Sequence, residues 1–282
     1  MIVAANRGPV VYERVPGGSL TVRQGSGGLV SALRGLVATT ELSWIASAIS
    51  EADREIAALH PRGQCEQLVD GTVQVRLLAH DRDAYRRFYG EVANPGFWYT
   101  QHQLWDHCYE PSFGTAFLSA WRNGYTPVNR AFAEAIIDEL ALRPARAVVL
   151  HDYHLYLAPR FVRKQSPQAC LALFVHIPWP PAESLRVLPR TIVRELLDGL
   201  LACDLVAFQA RRWRDNFVAA CVEIAGATVD GDTVVSQNSR RVRVTARPIS
   251  VNPSELRAAA KAGDAAAPLP AATGAPTCEL RP

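Results

Sequence analysis

The sequence predicts an α/β protein built on a doubly wound, mainly parallel sheet. Two observations lead to this prediction. Short apolar runs bounded by turn residues alternate with longer amphipathic segments, which is the pattern of βαβ units. The short runs are apolar almost throughout, as strands are when helices cover both faces of a parallel sheet. Ligands of such sheets bind beyond the carboxyl ends of the strands, so functional residues are expected at that rim.

The elements follow in order along the chain. The predicted strands are Ile2–Ala5, Ser43–Ala46, Val73–Leu78, Ala147–Leu150, Ala172–His176 and Leu205–Phe208. The predicted helices are Leu29–Ala38, Asp83–Tyr89, Pro127–Leu142, Pro189–Ala202 and Arg211–Ile224. The third helix is the clearest, because Phe132, Ile136 and Leu140 share one stripe. Near the end, "TVVSQNSRRVRVTA" predicts a hairpin that turns at Gln237–Arg240.

Composition excludes several classes of function. The chain has 282 residues, of which 49% are hydrophobic and 20% charged, enough material for one large core or two smaller ones. Its 30 basic and 27 acidic residues leave a net charge of +3. Because the positive and negative charges nearly balance, the composition predicts neither a nucleic-acid partner nor an anionic membrane surface as partner. Basic groups that matter must therefore act locally.

The spacing of the cysteines and the sequence of the N-terminus indicate the cellular compartment and whether the protein binds a metal. Six cysteines are scattered without a C-x-x-C pair, which predicts reduced thiols with neither a zinc site nor a disulfide framework. His102, Asp106 and His107 lack the spacing of a metal site, so we expect no metal and no cofactor. The N-terminus does not resemble a signal peptide, and there is no apolar run of about 18 residues. These features predict a cytoplasmic protein.

The composition changes after Pro253. Between Lys261 and Pro282 there is no aromatic residue, Val or Ile, and most residues are Ala, Pro, Gly or Thr. Such a segment buries too little apolar surface to offset its ordering entropy. We therefore expect a compact domain over residues 1–253 and a disordered tail over residues 254–282.

A glycine-rich turn precedes the first predicted helix. Gly25–Leu33, "GSGGLVSAL", carries three glycines within four positions at the mouth of that helix. One interpretation is a tight, closely packed turn, which is the more frequent use of glycine. The other is an anion cradle, in which bare N–H groups at the helix N-terminus face a phosphate. The motif by itself leaves both interpretations open.

Polar residues follow three of the predicted strands. A single His or Asp at a strand end is more often structural than catalytic, but several at one rim favour a site. The residues in question are Asn6, Arg7, His151, Asp152, Tyr153, His154 and His176. The prolines of "HIPWPP" would hold His176 in place. Aromatic residues between Phe88 and Pro111 either pack in the core or lid, or line a sugar pocket.

Together these motifs resemble the N-terminal half of trehalose-6-phosphate synthases. The motifs are "ANRGPV", "GGLVSAL", "HDYHLYLAP", "FVHIPWPPAESLRVLP" and "CDLVAFQARRWRDNF", and they occur in family order, with "ARPISVNP" resembling the end of that half. The resemblance implies a Rossmann-like domain of a GT-B glycosyltransferase. It also implies retaining transfer of glucose from a nucleotide-glucose donor to glucose 6-phosphate or a related sugar phosphate.

The resemblance assigns roles to individual residues. Arg7 would bind the acceptor phosphate, which suits a planar guanidinium. Tyr89 and Trp98 would line the pocket for that phosphate and its sugar. Asp152 would hold acceptor hydroxyls near the reacting centre, and His176 would orient the transferred sugar. In this family the backbone at Gly28 approaches the donor's phosphates. Front-face attack needs no enzyme nucleophile, so catalysis would be positioning and charge stabilisation.

Two departures from the family pattern keep alternatives open. Ser47 in "SWIAS" stands where many members have the second tryptophan of W-x-G-W. A related group of pseudo-glycosyltransferases, which couple cyclitols, has a similar stretch. The family's second, donor-binding domain has no counterpart in these 282 residues. We therefore expect the chain alone to be a poor catalyst, and a non-catalytic sugar-phosphate-binding or regulatory module is the third interpretation.

Overall fold

The computed structural model describes residues 1–25, 28–37, 39–69, 71–105, 112–143, 147–250 and 253–264. The strands are β1 Ile2–Ala4, β2 Val10–Arg14, β3 Leu20–Gln24, β4 Ser43–Ser47, β5 Gln64–Leu68, β6 Gly71–Leu78, β7 Val148–His151, β8 Leu171–Val175, β9 Leu205–Phe208, β10 Thr228–Asp230, β11 Thr233–Val235 and β12 Arg241–Ala246. The α-helices are α1 Gly28–Val37, α2 Glu51–Leu59, α3 Arg82–Arg87, α4 Tyr99–His102, α5 Thr115–Ala120, α6 Thr126–Leu142, α7 Ala158–Gln165, α8 Arg190–Leu200, α9 Arg211–Glu223 and α10 Pro253–Asp264.

The sheet is doubly wound, as the sequence predicts. Its strand order is β10-β11-β12-β9-β8-β7-β1-β4-β6-β5. All neighbours from β12 through to β6 are parallel, and β5, β10 and β11 add antiparallel pairings at the two edges. The chain winds from β1 through β4 to β6, crosses over, and winds the other way from β7 through β8 and β9. The switch point therefore lies between β1 and β7, where ligands of this fold class bind.

Both faces of the sheet are buried. In β1, Ile2 and Ala4 belong to one hydrophobic cluster with Phe132 and Ile136 of α6. Val3, between them, belongs to a second cluster on the other face. Because successive side chains of a strand point to opposite faces, this division follows from the continuous apolar run in the sequence. Covered faces leave the strand ends as the accessible part of the sheet.

Several elements were not predicted from the sequence. The β2–β3 pair forms a separate two-stranded antiparallel sheet. It is tied to α2 by Asp53, whose carboxylate accepts from the Tyr12 N–H at 3.2 Å. The start of α2 is a capping box, with Ser50 Oγ accepting from Asp53 N at 3.0 Å and Asp53 Oδ2 accepting from Ser50 N at 2.9 Å.

All five predicted helices are present with slightly different bounds, and in two of them a proline explains the difference. The helix predicted over Asp83–Tyr89 is α3, and it continues as a π-helix over Phe88–Trp98 that contains Pro95. A wide π turn accommodates the proline that would break an α-helix. The helix predicted over Pro189–Ala202 is α8, which begins one residue later because Pro189 is its N-cap. The predicted hairpin is confirmed as β11–β12.

The first part of the segment expected to be disordered, residues 254–264, is helical. Helix α10 covers Pro253–Asp264, because this stretch holds Glu, Leu, Lys, Arg and several alanines, all strong helix formers. Residues 265–282 lie outside the described residues. The chain divides into two compact units, Met1–Pro248 and Ile249–Pro282. Within the described residues, no helix has the length and hydropathy needed to cross a bilayer.

Candidate functional site

The switch point between β1 and β7 carries the predicted polar residues. Asn6 and Arg7 lie just beyond the end of β1, after Ala5, and Asp152 directly follows β7, with which β1 pairs in parallel. His176 directly follows β8, the next strand along. The structure therefore brings the ends of three predicted strands to one rim.

Asp152 has a backbone conformation that L-residues rarely adopt. Its φ is 70° and its ψ is 177°. This region is almost exclusive to glycine and costs on the order of 1–3 kcal/mol. Asp152 is held there by a backbone bond from its N–H to the Phe174 oxygen at 2.8 Å and by the His176 N–H, which donates to Oδ1 at 3.1 Å. Strain maintained by its surroundings at a strand end is typical of functional sites.

The Asp152 carboxyl is poised to exchange a proton near neutral pH. Burial raises its pKa to about 6, while hydrogen bonds from the backbone N–H groups of His176, Tyr153 and Ile177 act in the opposite direction. A carboxylate with this pKa accepts hydrogen bonds from hydroxyl groups above pH 6 and becomes a donor below it. Such perturbed groups cluster at functional sites.

His176 is paired with a second imidazole. His151 Nδ1 lies 2.9 Å from His176 Nε2, and Gln209 Nε2 lies 3.4 Å from His176 Nδ1. Burial lowers the pKa of His176 to about 4 and that of His151 to about 3, the latter with a contribution from His176. Both rings are neutral at physiological pH. A single proton therefore lies between them, and each ring is limited to one tautomer by the other.

Arg7 provides an exposed cation next to an aromatic wall. Hydrogen bonding from Asn94 and then from Arg7 lowers the pKa of the Tyr89 phenol. Asn94 Oδ1 also accepts from the Tyr153 hydroxyl at 2.9 Å, which connects this wall to the residue after Asp152. Within the described residues the Arg7 guanidinium has no carboxylate partner. An unpaired guanidinium beside phenol groups is suited to bind a phosphate.

The aromatic wall is a run of stacked rings. Tyr85 stacks on Tyr89 with centroids 6.1 Å apart, and Tyr89 stacks on His154 at 5.9 Å. Burial lowers the pKa of His154 to about 3, with Arg7 adding to the effect. His154 is therefore a neutral, flat surface beneath Tyr89. Of these rings only Tyr89 was singled out from the sequence for this pocket.

The sequence analysis named Asn6 and Ser47 but missed the buried polar network that joins them to His80 and Tyr85 beside Arg7. Asn6 Oδ1 accepts from Ser47 Oγ at 2.9 Å and from the Tyr85 hydroxyl at 3.3 Å. Ser47 Oγ also lies 3.1 Å from His80 Nε2. Burial lowers the pKa of His80 to about 4, so this ring is neutral as well. His80 follows β6 as Arg7 follows β1, and that shared position at a strand end was the available signal.

Trp98 is not joined to Arg7 by the described contacts. It ends the π-helix, and its ring lies 4.3 Å from the His102 ring, centroid to centroid. Its carbonyl oxygen lies 2.7 Å from His102 Nδ1. Its role in the pocket remains a prediction. The sequence analysis considered Asp106 and His107 and rejected them as metal ligands. Both lie outside the described residues.

The two described glycines of the turn before α1 have different environments. Gly25 N donates to Pro9 O at 2.7 Å, and a Cβ at Gly25 would lie 3.0 Å from Gly8 O, so close packing explains this glycine. A Cβ at Gly28 would meet nothing within 4 Å. Packing therefore does not explain Gly28, the first residue of α1. Its approach to a donor phosphate remains a prediction, and Ser26 and Gly27 lie outside the described residues.

His80 also lines a separate groove. Its volume is about 460 Å³, and most of its lining is apolar. The lining residues are Ala57, Ala58, Pro61, Leu77, Leu78, Ala79, His80, Asp81, Ala84, Pro127, Val128 and Ala131. It contains none of the residues predicted for the site, so the rim at the switch point is the better candidate.

Comparison with known proteins agrees with the resemblance. The model of glycosyltransferase family 20 matches residues 1–268. Validamine 7-phosphate valienyltransferase from Streptomyces hygroscopicus subsp. jinggangensis is 32% identical over 260 residues, covering 91% of this chain and 52% of that protein. Trehalose-6-phosphate synthase from Mycobacterium ulcerans is 32% identical over 265 residues, covering 90% and 49%. The chain thus spans about half the length of these curated relatives.

A solved structure supports the same fold. The α,α-trehalose-phosphate synthase (UDP-forming) from Burkholderia xenovorans, in complex with glucose-6-phosphate, matches with a TM-score of 0.69 at 23% identity. The match covers 94% of this chain and 52% of that one. The prediction of a Rossmann-like domain of the GT-B type is confirmed. On the match to the family model and the identity to its curated relatives, the chain belongs to glycosyltransferase family 20.

Proposed function

We propose that the rim at the switch point binds the acceptor of a glycosyl transfer, a sugar phosphate such as glucose 6-phosphate. The observation that carries this proposal is the pairing of an exposed, unpaired Arg7 beside Tyr89 with a strained Asp152 carboxyl on the adjacent strand. The guanidinium would bind the phosphate, and the carboxylate would accept from sugar hydroxyls. One cation and one anion on neighbouring strands match the two ends of such a ligand.

The reaction would be retaining transfer of glucose from a nucleotide-glucose donor to this acceptor. Asp152 would hold the attacking hydroxyl, and His176 would orient the transferred sugar from the next strand. No side chain need act as nucleophile, because front-face attack lets the departing phosphate help to remove the acceptor proton. The rate enhancement would come from orientation and from charge stabilisation at the departing phosphate. The exposed backbone at Gly28 would approach the donor.

A cyclitol phosphate is the second candidate for the acceptor. Two observations favour it. Ser47 replaces a tryptophan that many family members carry, and it lies in the network beside Arg7. A relative that is 32% identical over 91% of the chain is named for its action on validamine 7-phosphate. A smaller residue at this position would change the shape of the acceptor pocket.

Calorimetry with the purified chain tests both candidates. We expect glucose 6-phosphate or validamine 7-phosphate to bind, and Arg7→Ala to weaken binding by about tenfold or more, since a hydrogen bond to a charged group contributes about 1.5–3 kcal/mol. Lys164→Ala is the matched control, because Lys164 is an exposed cation near the end of α7, before the amino end of β8. The proposal would be rejected if neither ligand bound, or if Arg7→Ala bound the ligand as tightly as the unaltered chain.

A further inference from the structure

We propose that the side-chain amide of Asn6 is a phosphate-binding group that acts together with Arg7. This inference rests on the proposed function and adds a residue to the same site. Asn6 is the last residue before Arg7 at the carboxyl end of β1, and it is 3% exposed. A buried amide at this position needs partners for both its oxygen and its nitrogen.

The oxygen of the amide has two partners within the protein. Ser47 Oγ donates to Asn6 Oδ1 at 2.9 Å, and the Tyr85 hydroxyl donates to it at 3.3 Å. The nitrogen has no hydrogen-bond partner among the described residues. The network thus presents two unused N–H donors.

The groups that hold the oxygen are themselves fixed. Ser47 Oγ lies 3.1 Å from His80 Nε2, and the His80 carbonyl accepts from Arg54 at 2.8 Å. The His80 ring stacks on Tyr85 with centroids 5.8 Å apart. The backbone of Asn6 is also fixed, because the Ser47 N–H donates to its oxygen at 3.2 Å. Rotation of the amide would break two bonds in a preorganised network.

The location of Asn6 indicates what its N–H groups bind. Tyr85 stacks on Tyr89, and the Arg7 cation acts to lower the pKa of the Tyr89 phenol, so the amide and the guanidinium belong to one cluster. The NH₂ group of the amide and the guanidinium only donate hydrogen bonds. A ligand group that faces two such donors must be an acceptor only, and it gains most if it is anionic. A phosphate oxygen meets this requirement better than a hydroxyl group, which both donates and accepts.

Asn6→Asp separates a phosphate from a hydroxyl as the group bound. The carboxylate keeps an oxygen for Ser47 and Tyr85 but replaces the NH₂ group with a second, negatively charged oxygen. A bound hydroxyl would donate to this oxygen and affinity would persist. A bound phosphate would lose a donor and be repelled. We expect the Kd of the 282-residue chain for glucose 6-phosphate to rise by about tenfold or more, and that for inorganic phosphate to rise in parallel.

Asn238→Asp is the matched control. It makes the same change of charge in the β11–β12 turn, where Asn238 Oδ1 accepts from Ser236 Oγ at 2.5 Å. This turn precedes β12 and so lies at the amino end of the parallel strands, opposite the rim. We expect it to leave the affinity for both probes unchanged. Thermal unfolding of each variant reports whether the fold is kept.

The outcomes separate this inference from the proposed function. If the unaltered chain binds glucose 6-phosphate and Asn6→Asp binds it equally well, the assignment of Asn6 is wrong and the acceptor site stands. If the unaltered chain binds neither probe, both fail. Should Asn6→Asp not fold, Ser47→Ala and Tyr85→Phe decide, because each removes one bond that orients the amide. Roughly threefold to tenfold weaker binding in each supports the assignment, and unchanged binding overturns it.

Discussion

His151 Nδ1 and His176 Nε2 are 2.9 Å apart, so the imidazole after β8 is oriented by the imidazole that ends β7. His151 Nε2 is buried without a hydrogen-bond partner among the described residues. One proton lies between the two neutral rings, so the nitrogen that carries it fixes the tautomer of both.

Without the His151 ring, the proton of His176 should no longer be restricted to one ring nitrogen. We expect His151→Ala to shift the His176 ring nitrogens in a two-dimensional 1H–15N spectrum, and His151→Asn to keep the original pattern, since its amide can replace the hydrogen bond that Nδ1 makes. The free energy of unfolding should fall by about 1–3 kcal/mol in the alanine variant. Identical nitrogen shifts in both variants would show that His151 does not determine the His176 tautomer.

Asp152→Asn should stabilise the fold in a pH-dependent way. Burial raises the Asp152 pKa from 3.8 to about 6, so the native state binds more protons than the unfolded state between these pH values. The ionised carboxyl therefore costs stability as pH rises through that window, up to about 3 kcal/mol above pH 6. We expect Asp152→Asn to recover most of this at pH 8 and little at pH 4 in urea unfolding. An equal gain at both values would contradict the assignment.

Four histidines with lowered pKa values should make the fold sensitive to acid. Burial is the first cause of a lowered pKa in all of them: about 4 for His80 and His176, about 3 for His151 and His154. Below about pH 6.5 the unfolded state binds protons that the native state does not, so stability falls as pH drops. Each ring contributes a slope of about 1.4 kcal/mol per pH unit.

The free energy of unfolding should be measured as a function of pH in the Asp152→Asn variant. In the unaltered chain the ionisation of Asp152 changes stability in the opposite direction over an overlapping pH range. The free energy of unfolding of the variant should decrease steadily from pH 6.5 towards pH 4. A flat profile would show that these histidines remain accessible to protons in the native state.

Gly199 is required for the packing of α8. A Cβ at Gly199 would lie 2.1 Å from the Tyr156 carbonyl oxygen, a backbone atom that cannot move freely. We expect Gly199→Ala to lower the free energy of unfolding by about 3 kcal/mol or more. Gly90→Ala is the matched control, since Gly90 also lies inside a helix but a Cβ there would meet nothing within 4 Å. Equal melting temperatures for the two variants would contradict this reading of the contact.

The parallel sheet and its rim were predictable because they depend on local patterns. Apolar runs marked β1, β7 and β8, and a polar residue after each run marked the rim. Arg7, Asp152 and His176 were therefore identified without coordinates. The capping box of α2 was present in the sequence as Ser50 and Asp53, but the apolar residues of that helix are too few to signal it.

The rest of the site depends on contacts between distant segments. Ser47, His80 and Asn6 are far apart in sequence and meet only because β4 pairs with β1 and β6 pairs with β4. The His151–His176 pair likewise requires the register of β7 and β8. The strain at Asp152 has no sequence signal, because the surrounding fold imposes a conformation that an isolated aspartate avoids.

The central claim is that the rim between β1 and β7 binds a sugar phosphate, and a crystal structure of the chain with glucose 6-phosphate tests it most directly. The account predicts density at the rim, with the phosphate within hydrogen-bond distance of the Arg7 guanidinium and a sugar hydroxyl within that distance of the Asp152 carboxylate. Density for the ligand in the 460 Å³ groove between Ala57 and Val128, with the rim empty, would contradict it.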